Sequence, residues 1–138
     1  MAIGITVKNN QTIESAESVA VSAIEWASDT GGTILNAAAT ERFIEVNIQV
    51  SVTFNASATG DAKIHIRKSS DNGTTEDTEG NSTVILTIPV SAGNTVTRSF
   101  SVYDFDYLDV GCENEDGSYT LTWSAKWDGK YFTGLASS

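Results

Sequence analysis

A chain of 138 residues with 40% apolar side chains is long enough for one compact domain and apolar enough to bury a core. Its 18 acidic against 8 basic residues give a formal charge of −10, which repels nucleic-acid phosphates, and a single cysteine leaves no internal disulfide. One histidine and one cysteine also exclude a multi-histidine metal site and confine any Ser–His–Asp or Cys–His arrangement to His65.

In chain order, the opening MAIGITVKNN has no basic region followed by an apolar core, so no leader is expected, and no apolar run approaches a bilayer-spanning length. A single sandwich domain over 1–138 is expected, with 1–15 and 130–138 as candidate arms. Apolar Ile3, Ile5, Phe132 and Leu135 would anchor those arms, either on neighbouring molecules or as edge strands of the same sandwich. Val19, Val21 and Ala23 alternate as a strand. ESAESVAVSAIEWA also fits a short helix, but the β-branched residues favour the strand. Residues 28–41 read as a connector, and Trp26 has no pattern to place it.

From residue 43 the apolar period is two. Ile44, Val46, Ile48, Val50, Val52 and Phe54 alternate with polar residues over roughly 35 Å of strand. Ala62, Ile64 and Ile66 form a second run, with Lys63, His65 and Arg67 on its other side. Val84, Leu86, Ile88 and Val90 form a third, and Pro89 marks it as an edge strand or a strand end. Val96, Phe100 and Val102 follow, then Leu108, Val110 and Cys112, and finally Tyr119, Leu121, Trp123, Ala125 and Trp127. Turn chemistry at 58–61, 70–73, 91–94 and 113–117 separates the runs. The pattern is that of an all-β protein, an antiparallel β-sandwich of jelly-roll or immunoglobulin-like order.

Three places invite a functional reading. The acidic segment 69–82 carries Asp71, Asn72, Glu76, Asp77 and Glu79, oxygen donors a Ca2+ ion accepts. Their spacing is not that of a 12-residue calcium loop, so a solvated loop is expected and no metal site is assigned. Asp104, Asp106 and Asp109 precede Glu113, Glu115 and Asp116, but Asp104 and Asp106 share parity with Phe100, Val102, Leu108 and Val110. Burying both unpaired is costly, so a reversal or bulge near 103–107 is expected. In the same segment Tyr103, Phe105 and Tyr107 share one face. They form either an exposed interface or sugar-stacking cluster, or a cap on the core. Trp123 and Trp127 belong to the apolar side of their strand. His65 is expected at the surface on a basic strand face, and Cys112 as a small buried hydrophobe.

The order of these features, with Ser70, Asp71, Asn72, Gly73 and Thr74 in one turn and Val110, Glu113, Asn114, Asp116 and Gly117 around another, resembles small all-β structural proteins of tailed-bacteriophage virions. The resemblance spans about residues 15–132 and rests on turn signatures. It implies a β-sandwich that decorates the capsid or sits in the neck, tail or baseplate, and it brings no catalytic residues. The expectation is therefore a non-enzymatic virion protein without cofactors, docking on the major capsid protein or other virion proteins, with a homo-oligomer as the expected state. No nucleic-acid or membrane partner is expected. A carbohydrate-binding module is the alternative, decided by whether Tyr103, Phe105 and Tyr107 are exposed.

Overall fold

The computed structural model describes residues 4–30, 34–35, 43–69, 82–103, 105 and 107–133. The acidic loop 70–81, Asp104, Asp106, Ile3 and Leu135 lie outside the described residues. Nine strands are described: β1 Gly4–Val19, β2 Ile24–Trp26, β3 Ile34–Leu35, β4 Phe43–Phe54, β5 Ala62–Ser69, β6 Thr83–Ile88, β7 Thr95–Tyr103, β8 Tyr107–Asn114 and β9 Leu121–Thr133. A 3-10 turn, Ala27–Thr30, follows β2.

The strands form two antiparallel sheets, ordered β1-β9-β4-β7 and β2-β8-β5-β6. β3 also pairs with β8, opposite Tyr107 and Leu108, while β2 lies opposite Gly111–Glu113. β2 and β3 thus run end to end along one edge. Taken as one interrupted strand, each strand is followed by one in the other sheet, apart from the β5–β6 hairpin. This is jelly-roll order, two Greek keys folded over one core. It resolves the choice left open by periodicity, since an immunoglobulin order keeps its first two strands paired in one sheet.

The even positions of β4 fill the space between the sheets: Val46, Ile48, Val50 and Val52 are wholly buried. Leu121, Trp123 and Ala125 of β9 join them, and Ala62, Ile64, Leu108, Val110 and Cys112 meet them from the second sheet. The two-residue period thus places apolar side chains inward along β4 and β9. In β6, by contrast, a register shift between Ile64 and His65 sets Val84 opposite His65 and leaves it 45% exposed, not inward as its parity with Leu86 and Ile88 implied.

Two local expectations are corrected and two are decided. The strand through Val19, Val21 and Ala23 stops at Val19, and Ser22 turns the chain with a positive φ of 51° before β2 begins. The connector 28–41 holds both a helical turn and β3. The reversal expected near 103–107 is found: β7 starts beside the end of β4 and β8 runs back to that end, so the chain turns round as it passes from one sheet to the other. Of the two forms open to the terminal segments, residues 4–15 and 130–133 take that of strands in the same sandwich, with Gly4 paired to Thr133, Ile5 to Phe132 and Thr12 to Lys126.

One end of the sandwich is tied by two side chains of the β8–β9 connection. Asp116 Oδ2 accepts from the backbone N–H groups of Thr59 (2.7 Å) and Gly60 (3.0 Å), and Oδ1 from Ser118 (2.8 Å) and Tyr119 (3.0 Å). Asn114, 1% exposed, donates to the carbonyl of Tyr119 and accepts from the N–H of Asp116. Backbone bonds from Ser22 to the Asp116 carbonyl and from Asn114 to the Ala23 carbonyl bring in the β1–β2 turn. The approach is so close that a Cβ on Gly60 would stand 2.5 Å from the Asp116 backbone.

The Thr59 and Ser118 amides, with those of Gly60 and Tyr119, hold the Asp116 carboxyl down at about 2, against an ordinary 3.8. Its contribution to stability is therefore present above pH 3.8 and lost as pH falls toward 2. Asp116→Asn replaces an acceptor oxygen with an N–H2 facing backbone donors. It is expected to lower Tm at pH 7 by roughly 5 °C or more and to flatten the acid limb between pH 3.8 and 2, as read by thermal melts across that range.

Candidate binding surface

The outward faces of the two sheets differ. On β2-β8-β5-β6 the outward row at the middle of β8 is Trp26, Gly111 and His65, since Gly111 pairs with both neighbours. A Cβ on Gly111 would stand 2.7 Å from the indole, so Trp26 lies in the space the missing side chain leaves. From there the indole meets the His65 ring edge-on at 6.2 Å, and the Arg67 guanidinium stacks 4.2 Å over it.

Beneath this ring runs a polar network. Arg67 Nε donates to Asp109 Oδ2 at 2.8 Å, and its Nη2 donates to Ser28 Oγ at 3.0 Å. The Ser28 N–H donates to the other oxygen of Asp109. Asp109 is wholly buried, and burial outweighs its hydrogen bonds to Ser28 and Arg67, raising its pKa above 3.8. His65 Nδ1 lies 2.9 Å from Ser82 Oγ and Nε2 lies 2.7 Å from Glu113 Oε1. His65 is thus not the surface histidine expected from its strand position. It is 7% exposed because Trp26 roofs the row beside it. The glycine inside the Leu108–Cys112 run was the available signal, since a strand glycine marks a close approach.

The outward face of β1-β9-β4-β7 is open. Its central rows are polar: Glu45, Asn47, Gln49 and Ser51 of β4 beside Lys130, Asp128, Lys126 and Ser124 of β9. Hydroxyl pairs cross from β4 to β7, Ser51 to Thr97 at 2.9 Å and Thr53 to Thr95 at 2.8 Å. β1 rises over the far side through three register shifts, with Asn10 and Ala16 at positive φ of 53° and 51°. The amides freed there are taken by β9 side chains, Asn10 N–H by Asp128 Oδ1 and Ala16 N–H by Ser124 Oγ. Bulges of this kind bend an edge strand and re-aim its side chains.

Three hollows of about 280, 140 and 270 Å3 lie along this face. Gln49 and Lys126 line both the first and the second, and Asn47 and Asp128 line both the second and the third. They therefore form one trough from Ser124 to Lys130, about 20 Å at strand rise. The carboxylates of Glu14, Glu45 and Asp128 alternate in it with the ammonium groups of Lys126 and Lys130. Sequence reasoning passed over these residues because polar positions on alternating strands read alike whether a surface is flat or grooved.

The residues singled out from sequence are not brought together. Phe105 and Tyr107 are buried at 6% and 8% exposure, whereas Tyr103 is 55% exposed, so the three rings build no shared platform. They part because Tyr103 ends β7 and Tyr107 begins β8 in the opposite sheet. Ile5 and Phe132 are paired across β1 and β9 by their backbones, while their side chains lie outside the described residues, as do Ile3 and Leu135. Trp123 is wholly buried and Trp127 half-buried, lining the middle hollow. Cys112 is buried, and burial pushes its thiol up to about 12. Glu115 pairs with Lys63 at 3.5 Å. No three His, Cys, Asp or Glu side chains are grouped to hold a metal ion among the described residues.

No family model and no curated protein matches the chain. Among solved structures it is similar to the CBM22-1–GH10 modules of a Clostridium thermocellum endo-1,4-beta-D-xylanase complexed with xylohexaose: 13% identity, 98% of this chain, 27% of that one, TM-score 0.49. It is similar to dimeric latent PorU from Porphyromonas gingivalis at 14% identity, covering 96% of this chain and 13% of that one, TM-score 0.49. Infectious bursal disease virus, Gx strain, gives 13% identity over 100% of this chain and 35% of that one, TM-score 0.43. The chain thus spans about a third or less of these three chains, and no ligand or residue role is carried over from them.

The network under Trp26 makes a sharp prediction. Arg67→Ala leaves the Asp109 carboxylate buried without its cation and is expected to cost about 3–5 kcal/mol in urea unfolding at pH 7. Because Asp109 titrates above 3.8 in the fold, the destabilisation is present above its raised pKa and is relieved as pH falls through it. The deficit of Arg67→Ala should therefore be smaller at pH 4 than at pH 7.

Proposed function

We propose that the chain is a non-enzymatic structural jelly roll that acts by adhesion through the trough of the β1-β9-β4-β7 face. Within that class we read it as a bacteriophage virion protein of the capsid-decoration type. The observation that carries the adhesive reading is the continuous polar trough, about 20 Å long, beside the bulged β1. A surface of this length with alternating charges and amides fits an extended polar segment of a partner, and repeated coat subunits offer many such segments at once. The virion placement rests on the turn signatures around Ser70–Thr74 and Val110–Gly117.

The residues that nucleophilic chemistry needs are otherwise engaged. Cys112 is a buried thiol, and His65 is enclosed beside Trp26. Ser82, His65 and Glu113 do form a hydroxyl–imidazole–carboxylate chain. Its sense on the ring is inverted relative to a serine-protease triad, with the hydroxyl at Nδ1 and the carboxylate at Nε2.

Viral coat and lectin domains share the jelly roll, so the strand order favours a carbohydrate-binding module equally. Exposed Tyr103 is the ring that stands on that side, since Trp127 packs against the core. Co-sedimentation of the purified protein with phage capsids, alongside an oligosaccharide array, separates the two. Saturable binding to capsids, reduced about tenfold or more by the pair Gln49→Ala and Lys126→Glu, is the expected result. Protein left in the supernatant, with retention on oligosaccharides, overturns the decoration reading. A hydrolytic activity abolished by Ser82→Ala or His65→Ala overturns the non-enzymatic one.

A further inference from the structure

The outer strands of the two sheets are finished differently. β1 is broken by three register shifts, β2 and β3 have three and two residues, and β6 has six and stops before Pro89. Each is a way of blunting a sheet edge against further pairing. β7 has no such device. It runs nine residues, Thr95–Tyr103, in unbroken register with β4, without Pro or Gly, and its one charge is Arg98.

The backbone groups that β7 offers outward can be identified. The Phe54 N–H donates to the Asn94 carbonyl at 3.0 Å, so even positions bond to β4 and odd positions face away. Consistently, the outward carbonyl of Thr97 is met by the guanidinium of Arg98 at 2.9 Å, and that of Tyr103 by the Lys68 ammonium at 3.1 Å. Both bonds are solvent-exposed and come from flexible side chains. Among the described residues no strand pairs with this edge.

We infer that β7 pairs antiparallel with β7 of a second copy of the chain, about a two-fold axis at Ser99, joining two four-stranded sheets into one of eight. Three observations select a second copy as the occupant. Residues 81–103 contain no Asp or Glu in a chain of charge −10, so two β7 edges meet without opposing carboxylates. Centring on Ser99 sets Thr97 opposite Ser101 and Thr95 opposite Tyr103, extending the hydroxyl pairing already seen between β4 and β7. The same register sets Arg98 opposite Phe100 of the second copy, a cation over a half-buried ring, and opposes no like charges. An isologous contact of this kind is closed, so it ends at a dimer rather than a filament. It is independent of the virion reading and of the trough.

Light scattering from micromolar to millimolar concentration is expected to show a mass of twice 14.7 kDa. Ser99→Pro removes an N–H that points away from β4, so the fold should persist by circular dichroism while the dimer dissociates at least tenfold more readily. Ser99→Cys should oxidise to a covalent dimer, because facing Cα atoms in a hydrogen-bonded antiparallel pair stand about 5.5 Å apart, within disulfide reach. Buried Cys112 does not compete, and Thr53→Cys on β4 should stay uncross-linked. A monomer at every concentration, a trimer, or a dimer that Ser99→Cys fails to cross-link overturns the inference. Capsid binding by a monomeric protein would leave the decoration reading standing without it.

Discussion

The Asp116 carboxylate and the Asn114 amide are the constraint on which the rest of the sandwich depends. A jelly roll crosses between its sheets at almost every connection, so its loops leave backbone donors and acceptors that no ladder satisfies. At this end, two side chains from one connection satisfy them for three loops. Asp116 holds the β4–β5 loop through Thr59 and Gly60 and its own loop through Ser118 and Tyr119. Asn114 reaches the carbonyls of Val19 and Ala20 at the end of β1. The early stop of β1 at Val19 and the obligatory glycine at position 60 follow from this knot. The turn signature that gave the sequence its resemblance is, physically, the means of closing one end of the fold.

The two outer faces begin from the same alternation of polar and apolar residues and come to opposite ends. On β8 the absence of a side chain at Gly111 admits Trp26. The ring then covers a layer of charges that would otherwise be solvated, turning a strand face into a buried network. On β9 the outward row keeps its side chains, and the bulged β1 lifts beside it to leave a groove. One face thereby carries a packed ring over an ion pair, while the other keeps an open polar groove.

Much of the architecture was legible because burial and parity are coupled. Val46, Ile48, Val50 and Val52, or Leu121, Trp123 and Ala125, can satisfy a two-residue period only by sharing a core. Pro89 and the glycine-containing turns located strand ends for equally local reasons. The strand order was not legible, since alternation says which side faces inward and nothing about which strand lies alongside. The fates of Tyr103, Phe105 and Tyr107 were hidden for the same reason: three residues of equal parity were divided by a crossover between sheets. His65 was misplaced because its surroundings come from Trp26, thirty-nine positions away in the chain, and the trough went unseen because concavity depends on the two bulges at Asn10 and Ala16.

The pairing of β1 with β9 carries a consequence for how the chain is made. Among the described residues the first long strand has no other neighbour in its sheet, and it meets β9 across more than a hundred intervening residues. At a synthesis rate of 5–20 residues per second, β1 waits roughly ten seconds on the ribosome before β9 emerges. For that interval its sixteen residues remain an unpaired segment in a chain whose other contacts are also mostly distant. Its polar positions, Lys8, Glu14 and Glu17 among them, keep that segment hydrated while it waits. Their placement suits a strand that must stay soluble before it can fold.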